Sequence, residues 1–401
     1  MHAIYAFGLL ILIAYLGSRF IRKGKRSFSP FTFLFQSGLI YVSLGLYLGQ
    51  HGSNVLSLEI LRSFRPLIAL GLGWVGFVFG FQLEFRYLKR FPGIYTWLSL
   101  LLFVSVSLLV AVPLISILER WFGEPRFYLH GVAVALGILA GIHSPTLLNL
   151  VAPLVPKRGH YYYLARFLVS VGGFWALVGM MALTSFWHFP FFEQGEITMG
   201  FLLIAVSTVV PILLGYLFFK LTASRITQRD LLVYLLGMVF FVSGAAFYFN
   251  LMPLYVCMVL GIVYSNLTHR HERIYPILLA SEKPLYIVLL ILVGALWKID
   301  FNLRIAALVL FLLVLRTAGH MLSTPLLGRL LKFPFRLPLT FGLSLMSAGG
   351  LGVAFAVSIF VAYPMDITNI FLSVALIVII VGDVLSPPAI KASLYRLGSK
   401  E

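Results

Sequence analysis

The stretch Ala140-Gly141-Ile142-His143-Ser144-Pro145-Thr146 lies in the middle of an apolar run from 127 to 154, and its reading decides the fold. A run of that length crosses a bilayer as a helix, which takes ~20 apolar residues. Pro145 has no amide proton and clashes with the turn before it, so the carbonyls around Leu139 to Gly141 lose their partners. Ser144 reads as an N-cap and Pro145 as the first residue of a second half-helix. That half-helix starts near the midplane with its positive end facing inward. Lipid cannot satisfy freed backbone groups, so such a break survives only inside protein or along a cavity.

A second stretch, Ser347-Ala348-Gly349-Gly350-Leu351-Gly352, interrupts the apolar run from 338 to 362. Here Gly349, Gly350 and Gly352 permit a break without proline. Two interrupted helices in corresponding halves of a chain point to a carrier's binding site. Crossed, they place free carbonyls and helix N-termini around one point, suited to a small ion. The plainer alternative is a proline kink and packing glycines, both frequent in membrane helices.

Composition agrees with a bilayer. The chain is 61% hydrophobic and 11% charged, which excludes an ordinary soluble domain. Its net charge of +17 is dispersed over short loops and so indicates topology, with no nucleic-acid partner. The one cysteine, Cys257, excludes an internal disulfide, and no metal or cofactor site is expected. The apolar N-terminal run is followed, not preceded, by basic residues, which reads as a retained first span.

Thirteen apolar stretches can be marked, near 4–18, 31–49, 66–83, 94–118, 127–154, 160–187, 197–221, 231–249, 251–267, 275–297, 301–328, 338–362 and 367–390. The expected fold is an all-α polytopic membrane protein of about 13 transmembrane helices. Numbering loops alternately from an external Met1 puts 21 of the 30 Lys and Arg residues on one side and 6 on the other. The positive-inside rule then predicts an external N-terminus and a cytoplasmic C-terminus in the plasma membrane. The interrupted stretches are the fifth and twelfth, an odd offset, so they cross in opposite directions. Stretches 1–6 and 8–13 therefore pair as inverted six-helix repeats, with helices 5 and 12 crossed.

Charges inside spans are costly and usually face a cavity or a partner. Arg316 sits ~20 Å from either end of its span at ~1.5 Å per residue. It reads as a site residue or as the partner of a buried carboxylate. Arg166 is ~10 Å inside the sixth span and can instead snorkel to the cytoplasmic face. Asp383 is the one acid far from a predicted boundary, and it can pair with either arginine. His143, inside the break, and His320, one turn after Arg316, are each a proton carrier or a satisfied buried histidine. An intramembrane enzyme finds no support: Gly382-Asp383 lacks the preceding glycine of a Gly-x-Gly-Asp motif, and no HExxH is present.

At these residues the chain resembles the monovalent cation:proton antiporter superfamily, which includes the sodium/proton exchangers and the glutathione-gated potassium efflux systems. Gly80-Phe81-Gln82-Leu83-Glu84 is similar to the segment ending the family's third helix. Ser144-Pro145-Thr146 is similar to the signature of its first unwound helix. Glu282, the apolar run after it and Gly294 resemble another family segment. Arg316 stands where the family keeps a basic residue, and Ser347-Ala348-Gly349-Gly350 resembles its second unwound segment.

The resemblance implies a homodimer in a lipid bilayer. A core part, 94–187 and 301–395, moves against a dimerisation and scaffold part, 1–83 and 197–297. It also implies transport of a small ion: sodium, potassium, proton or an anion. The chain departs from the family where the exchangers carry an aspartate midway along helix 6. The matching stretch reads Leu168-Val169-Ser170-Val171-Gly172-Gly173, leaving Ser170 as its polar oxygen. A divergent member is implied, either transporting, or anion-handling, or inactive in transport and kept for sensing or assembly. The candidate ion or substrate residues are His143, Ser144, Pro145, Thr146, Ser170, Arg316, Gly349 and Gly350. Asp383, Arg166 and His320 are candidates for a proton carrier or buried ion pair.

Overall fold

The computed structural model describes residues 2–23, 40–50, 52–155, 159–187, 197–222, 228–268, 271–298, 302–363 and 366–398; a few side chains within helices, including those of Thr146, Glu282 and Lys283, lie outside the described residues. The described elements are helical throughout. In chain order they begin with α1 (His2–Lys23), α2 (Ile40–Leu48), α3 (Leu58–Ser63), α4 (Arg65–Phe81), α5 (Phe85–Leu88) and α6 (Gly93–Trp121). The first broken stretch gives α7 (Arg126–Ala140) and α8 (Pro145–Val151), and α9 (His160–Phe186) follows. Then come α10 (Ile197–Thr222), α11 (Gln228–Tyr248), α12 (Pro253–Leu267), α13 (His271–Leu296) and α14 (Leu303–Leu330). The second broken stretch is a 3-10 helix, Leu339–Leu345, followed by α15 (Gly349–Ala362), and the last helix is α16 (Asp366–Gly398).

Six of the described helices are long and apolar enough to cross a membrane, or seven if the second broken pair, bent by 65°, counts as one span. Their surfaces suit lipid. In α10 only 17% of the most apolar window is buried, and residues such as Phe201, Leu213 and Leu217 face outward. An all-apolar helix with so little protein around it requires a non-aqueous solvent.

Two compact units divide the chain: Met1–Arg86 with His188–Lys298, and Tyr87–Trp187 with Ile299–Glu401. In the first unit, α4, α11 and α12 enclose an apolar core around Trp74, Phe77, Phe81, Leu235, Val239 and Tyr264. Helices in lipid gain from close van der Waals approach more than from the hydrophobic effect. The sequence supplies that approach through Gly76 and Gly80, one turn apart on α4. A Cβ at either would strike the carbonyl oxygen of Leu254 or Met258 on α12. The end of α4 is closed by side chains of α12 and α13. Ser265 Oγ donates to Phe81 O at 2.8 Å, Asn266 Nδ2 donates to Leu83 O at 3.1 Å, and the His271 ring stacks on Phe81 at 4.6 Å.

The second unit is organised around the two breaks. α6, α9, α14 and α16 are its long continuous helices, and 67% of the apolar window of α16 is buried. Both broken stretches and every candidate site residue belong to this unit.

Candidate functional site

The geometry of the first break follows from accounting for its backbone groups. In a continuous helix the Ser144 amide would bond to Ala140 O. Instead it leaves α7 and donates to Ser347 O at 2.8 Å, which ties the first break directly to the second. Ile142 N closes the last turn of α7 on Leu139 O at 3.1 Å. Ala140 O accepts a hydrogen bond from His320 Nε2 at 3.2 Å, which fixes the donor nitrogen of that imidazole. Ile142 O accepts from Arg316 Nη2 at 3.1 Å. Arg316 and His320 are four residues apart on α14, so both lie on one helix face and reach the same segment. Ala140 O and Ile142 O are therefore engaged at the break. Two side-chain donors occupy them.

At the second break the interruption falls at 346–348, before the glycines, because the preceding segment is 3-10 helix and ends at Leu345. Gly350 and Gly352 lie inside α15, which corrects the reading of them as part of the unwound segment. Gly349 alone has an unusual backbone, at φ 55°, in the left-handed region that glycine enters without Cβ strain. The amides of Ala348 and Gly349 donate to Asp383 Oδ1 at 3.2 and 3.3 Å, and Ser347 Oγ reaches the same oxygen at 3.5 Å. Asp383 thus caps the positive end of α15, where a carboxylate is favoured. Arg316 caps the negative end of α7, where a cation is favoured. The two charges feel one another without a direct ion pair.

His143 sits between these features at 1% exposure, its ring centroid 4.7 Å from that of His320. Its face meets α9: a Cβ built on Gly172 would lie 2.5 Å from His143 Nδ1. The imidazole fills the space that any side chain at 172 would need. Four buried nitrogens in this neighbourhood have no hydrogen-bond partner in the protein: Nδ1 and Nε2 of His143, Nδ1 of His320 and Nε of Arg316.

Other candidates are placed elsewhere or differently. Arg166 is exposed, with its guanidinium 5.9 Å from the Tyr87 ring centroid, so of the two arginines only Arg316 acts on Asp383. Ser170 Oγ donates to Arg166 O within its own helix at 2.8 Å, which turns that hydroxyl away from a site role. Pro145 is half-buried at the start of α8, and Ser144 is buried. Two participants escaped the sequence reading. Gly172 is the surface on which His143 rests. Ser107 Oγ, buried on α6 and without a protein partner, would lie 2.8 Å from a Cβ on Gly141. A glycine opposite a break and a lone serine carry no distinctive signal. The four-residue spacing of Arg316 and His320 was a usable one.

No protein-family model matches the chain, and no curated protein does. Solved structures do. The sodium proton antiporter MjNhaP1 from Methanocaldococcus jannaschii, solved at pH 8, superposes with a TM-score of 0.69 at 15% identity, covering 99% of this chain and 100% of that one. An electron-microscopy map of the same antiporter gives a TM-score of 0.69 at 16% identity, covering 100% and 98%. The chain has the fold of those structures over its whole length.

Proposed function

We propose that this chain is a secondary transporter, moving a small monovalent ion across a bilayer by alternating access with coupling to protons. One observation carries the reading: the Ser144–Ser347 bond joins two helix breaks inside the protein, with buried ionisable groups around it. The shared fold with a sodium proton antiporter supports the transporter class. In this reading the core part, 94–187 and 301–395, rocks against the scaffold part, 1–83 and 197–297. The scaffold forms a homodimer. Stretches 1–6 and 8–13 are inverted repeats, with the N-terminus outside and the C-terminus cytoplasmic.

Between His143 and Asp383, His143 is the better proton-carrier candidate. Asp383 already accepts from two amides and a hydroxyl and balances Arg316, whereas His143 has two nitrogens without protein partners. A carboxylate-based sodium site on helix 6 has no counterpart, since the matching stretch 168–173 carries no acid.

The test is flux. Purified protein in liposomes holding a pH-sensitive dye is expected to move protons when sodium, potassium or chloride is supplied under one of the two pH gradients. Silence with all three ions under both gradients removes the transporter. It leaves the second reading, a transport-inactive member, which the closure of the α7 carbonyls by Arg316 and His320 favours.

A further inference from the structure

We infer that Arg316 Nε, His320 Nδ1 and one ring nitrogen of His143 form a proton-linked site for a small monovalent anion, of the halide or nitrate class. The inference rests on the transporter reading and names the kind of ion it moves.

A bare cation is bound by carbonyl or carboxylate oxygens, and here three carbonyls of the first break and one oxygen of Asp383 already hold donors. Ala140 O and Ile142 O hold donors from His320 and Arg316, and Leu139 O holds the Ile142 amide. Asp383 Oδ1 holds the Ala348 and Gly349 amides and the Ser347 hydroxyl. Besides Ser107 Oγ, four nitrogens here remain without a protein partner, on three side chains each 2% exposed or less. Buried polar atoms are almost always partnered, so such a cluster points to a bound species.

Chemistry decides what that species is. Arg316 Nε is a permanent donor. His320 gives its Nε2 proton to Ala140 O, so its Nδ1 is a lone pair while the ring is neutral and an N–H donor once it takes a proton. His143 has one donor and one acceptor when neutral and two donors when protonated. With both rings neutral, the cluster suits a water molecule, which both donates and accepts. With a ring protonated, it suits an anion, which only accepts.

Charge balance makes this coupling obligatory. Among the described residues the charged and titratable groups acting on His143 are His320 and Arg316, and the charge acting on Arg316 is Asp383. α9 contributes only the Gly172 backbone to His143, and α6 contributes the neutral Ser107. Arg316 and Asp383 cancel. An anion entering alone would leave an uncompensated charge in the membrane interior, as would a proton entering alone. Together they enter as a neutral pair and displace water. No covalent bond changes; the proton resides on an imidazole nitrogen and leaves with the anion.

The test uses the full chain in detergent, with radioactive chloride in equilibrium dialysis and a pH dye in weak buffer. Sodium gluconate serves as the ionic-strength control. The expected result is chloride binding with uptake of about one proton per chloride, and an affinity that falls about tenfold per pH unit wherever the empty site is unprotonated. Nitrate competes. H143Q and H320Q lower the proton uptake, and R166Q, away from the cluster, leaves it unchanged. The wild-type proton count decides the case even if a histidine variant fails to fold. Absence of chloride and nitrate binding between about pH 5 and about pH 8 overturns the inference, as does binding with no proton taken up. If sodium or potassium flux is seen without anion binding, the transporter reading stands and this inference falls. If proton-linked binding is seen without any flux, the site stands and the transporter reading falls.

Discussion

The break at 141–144 and the break at 346–348 lie in the same unit and touch through one hydrogen bond, yet they expose opposite halves of the peptide group. The first ends a helix and frees carbonyls, and the side chains that meet them are a guanidinium and an imidazole N–H. The second starts a helix and frees amides, and a carboxylate meets them. Each buried charge sits where the helix dipole favours it, and the pair leaves the interior neutral. Cutting a helix in a medium without water therefore dictates the sign of the side chain that must follow. The other half of that compensation comes from other helices, α14 for the first break and the next helix, α16, for the second.

The comparison breaks first if the two ends are independent. Asp383→Leu strips both amides of their acceptor and leaves Arg316 without a counter-charge, so stability in detergent is expected to fall by about 4–5 kcal/mol. Arg316→Met is expected to cost about 3–4 kcal/mol, because Ile142 O loses its donor and Asp383 its balance. The double variant should lose about 1–3 kcal/mol less than the two losses added. Strict additivity in denaturant or thermal unfolding would mean that the breaks do not compensate one another.

Smaller effects sharpen the picture of each side. On the first, Gly172→Ala drives a methyl into the His143 ring and should cost about 1–3 kcal/mol. Adding His143→Ser should recover part of that loss, and no recovery would contradict the placement of the imidazole against α9. On the second, Gly349→Ala should cost about 1–2 kcal/mol for its left-handed backbone, and Gly349→Asn less, since asparagine tolerates that region. The smallest change belongs to Ser347→Ala, at most about 0.5–1 kcal/mol. Its hydroxyl reaches Asp383 at 3.5 Å, beyond a good bond, while both amides remain.

Much of the fold was legible because a bilayer demands so much of a sequence. Long apolar runs, loop charges and a proline at mid-run follow from the absence of water, and each leaves a local trace. The location of the first break could be read from Ser144-Pro145 for that reason. The second was read too far along, at Gly350 and Gly352, because glycine marks permission and not position. The start of α15 is set by the amides that Asp383 accepts. Arg166 was a candidate by depth and Ser170 by resemblance, and neither says which way a side chain points from its helix. Arg316, His320 and Asp383 stood out because a buried charge or imidazole is costly wherever it lies.

By itself the sequence determined the solvent, the helical class and the residues whose burial had to be compensated, since each follows from single-residue energetics in an apolar medium. Only the tertiary structure decided the partners: that Ser144 would reach Ser347, that α14 would close the carbonyls of α7, that Asp383 would face α15, and that His143 would rest on Gly172. Those pairings span about 30 to 200 residues and depend on distances and directions between helices, which no local pattern encodes.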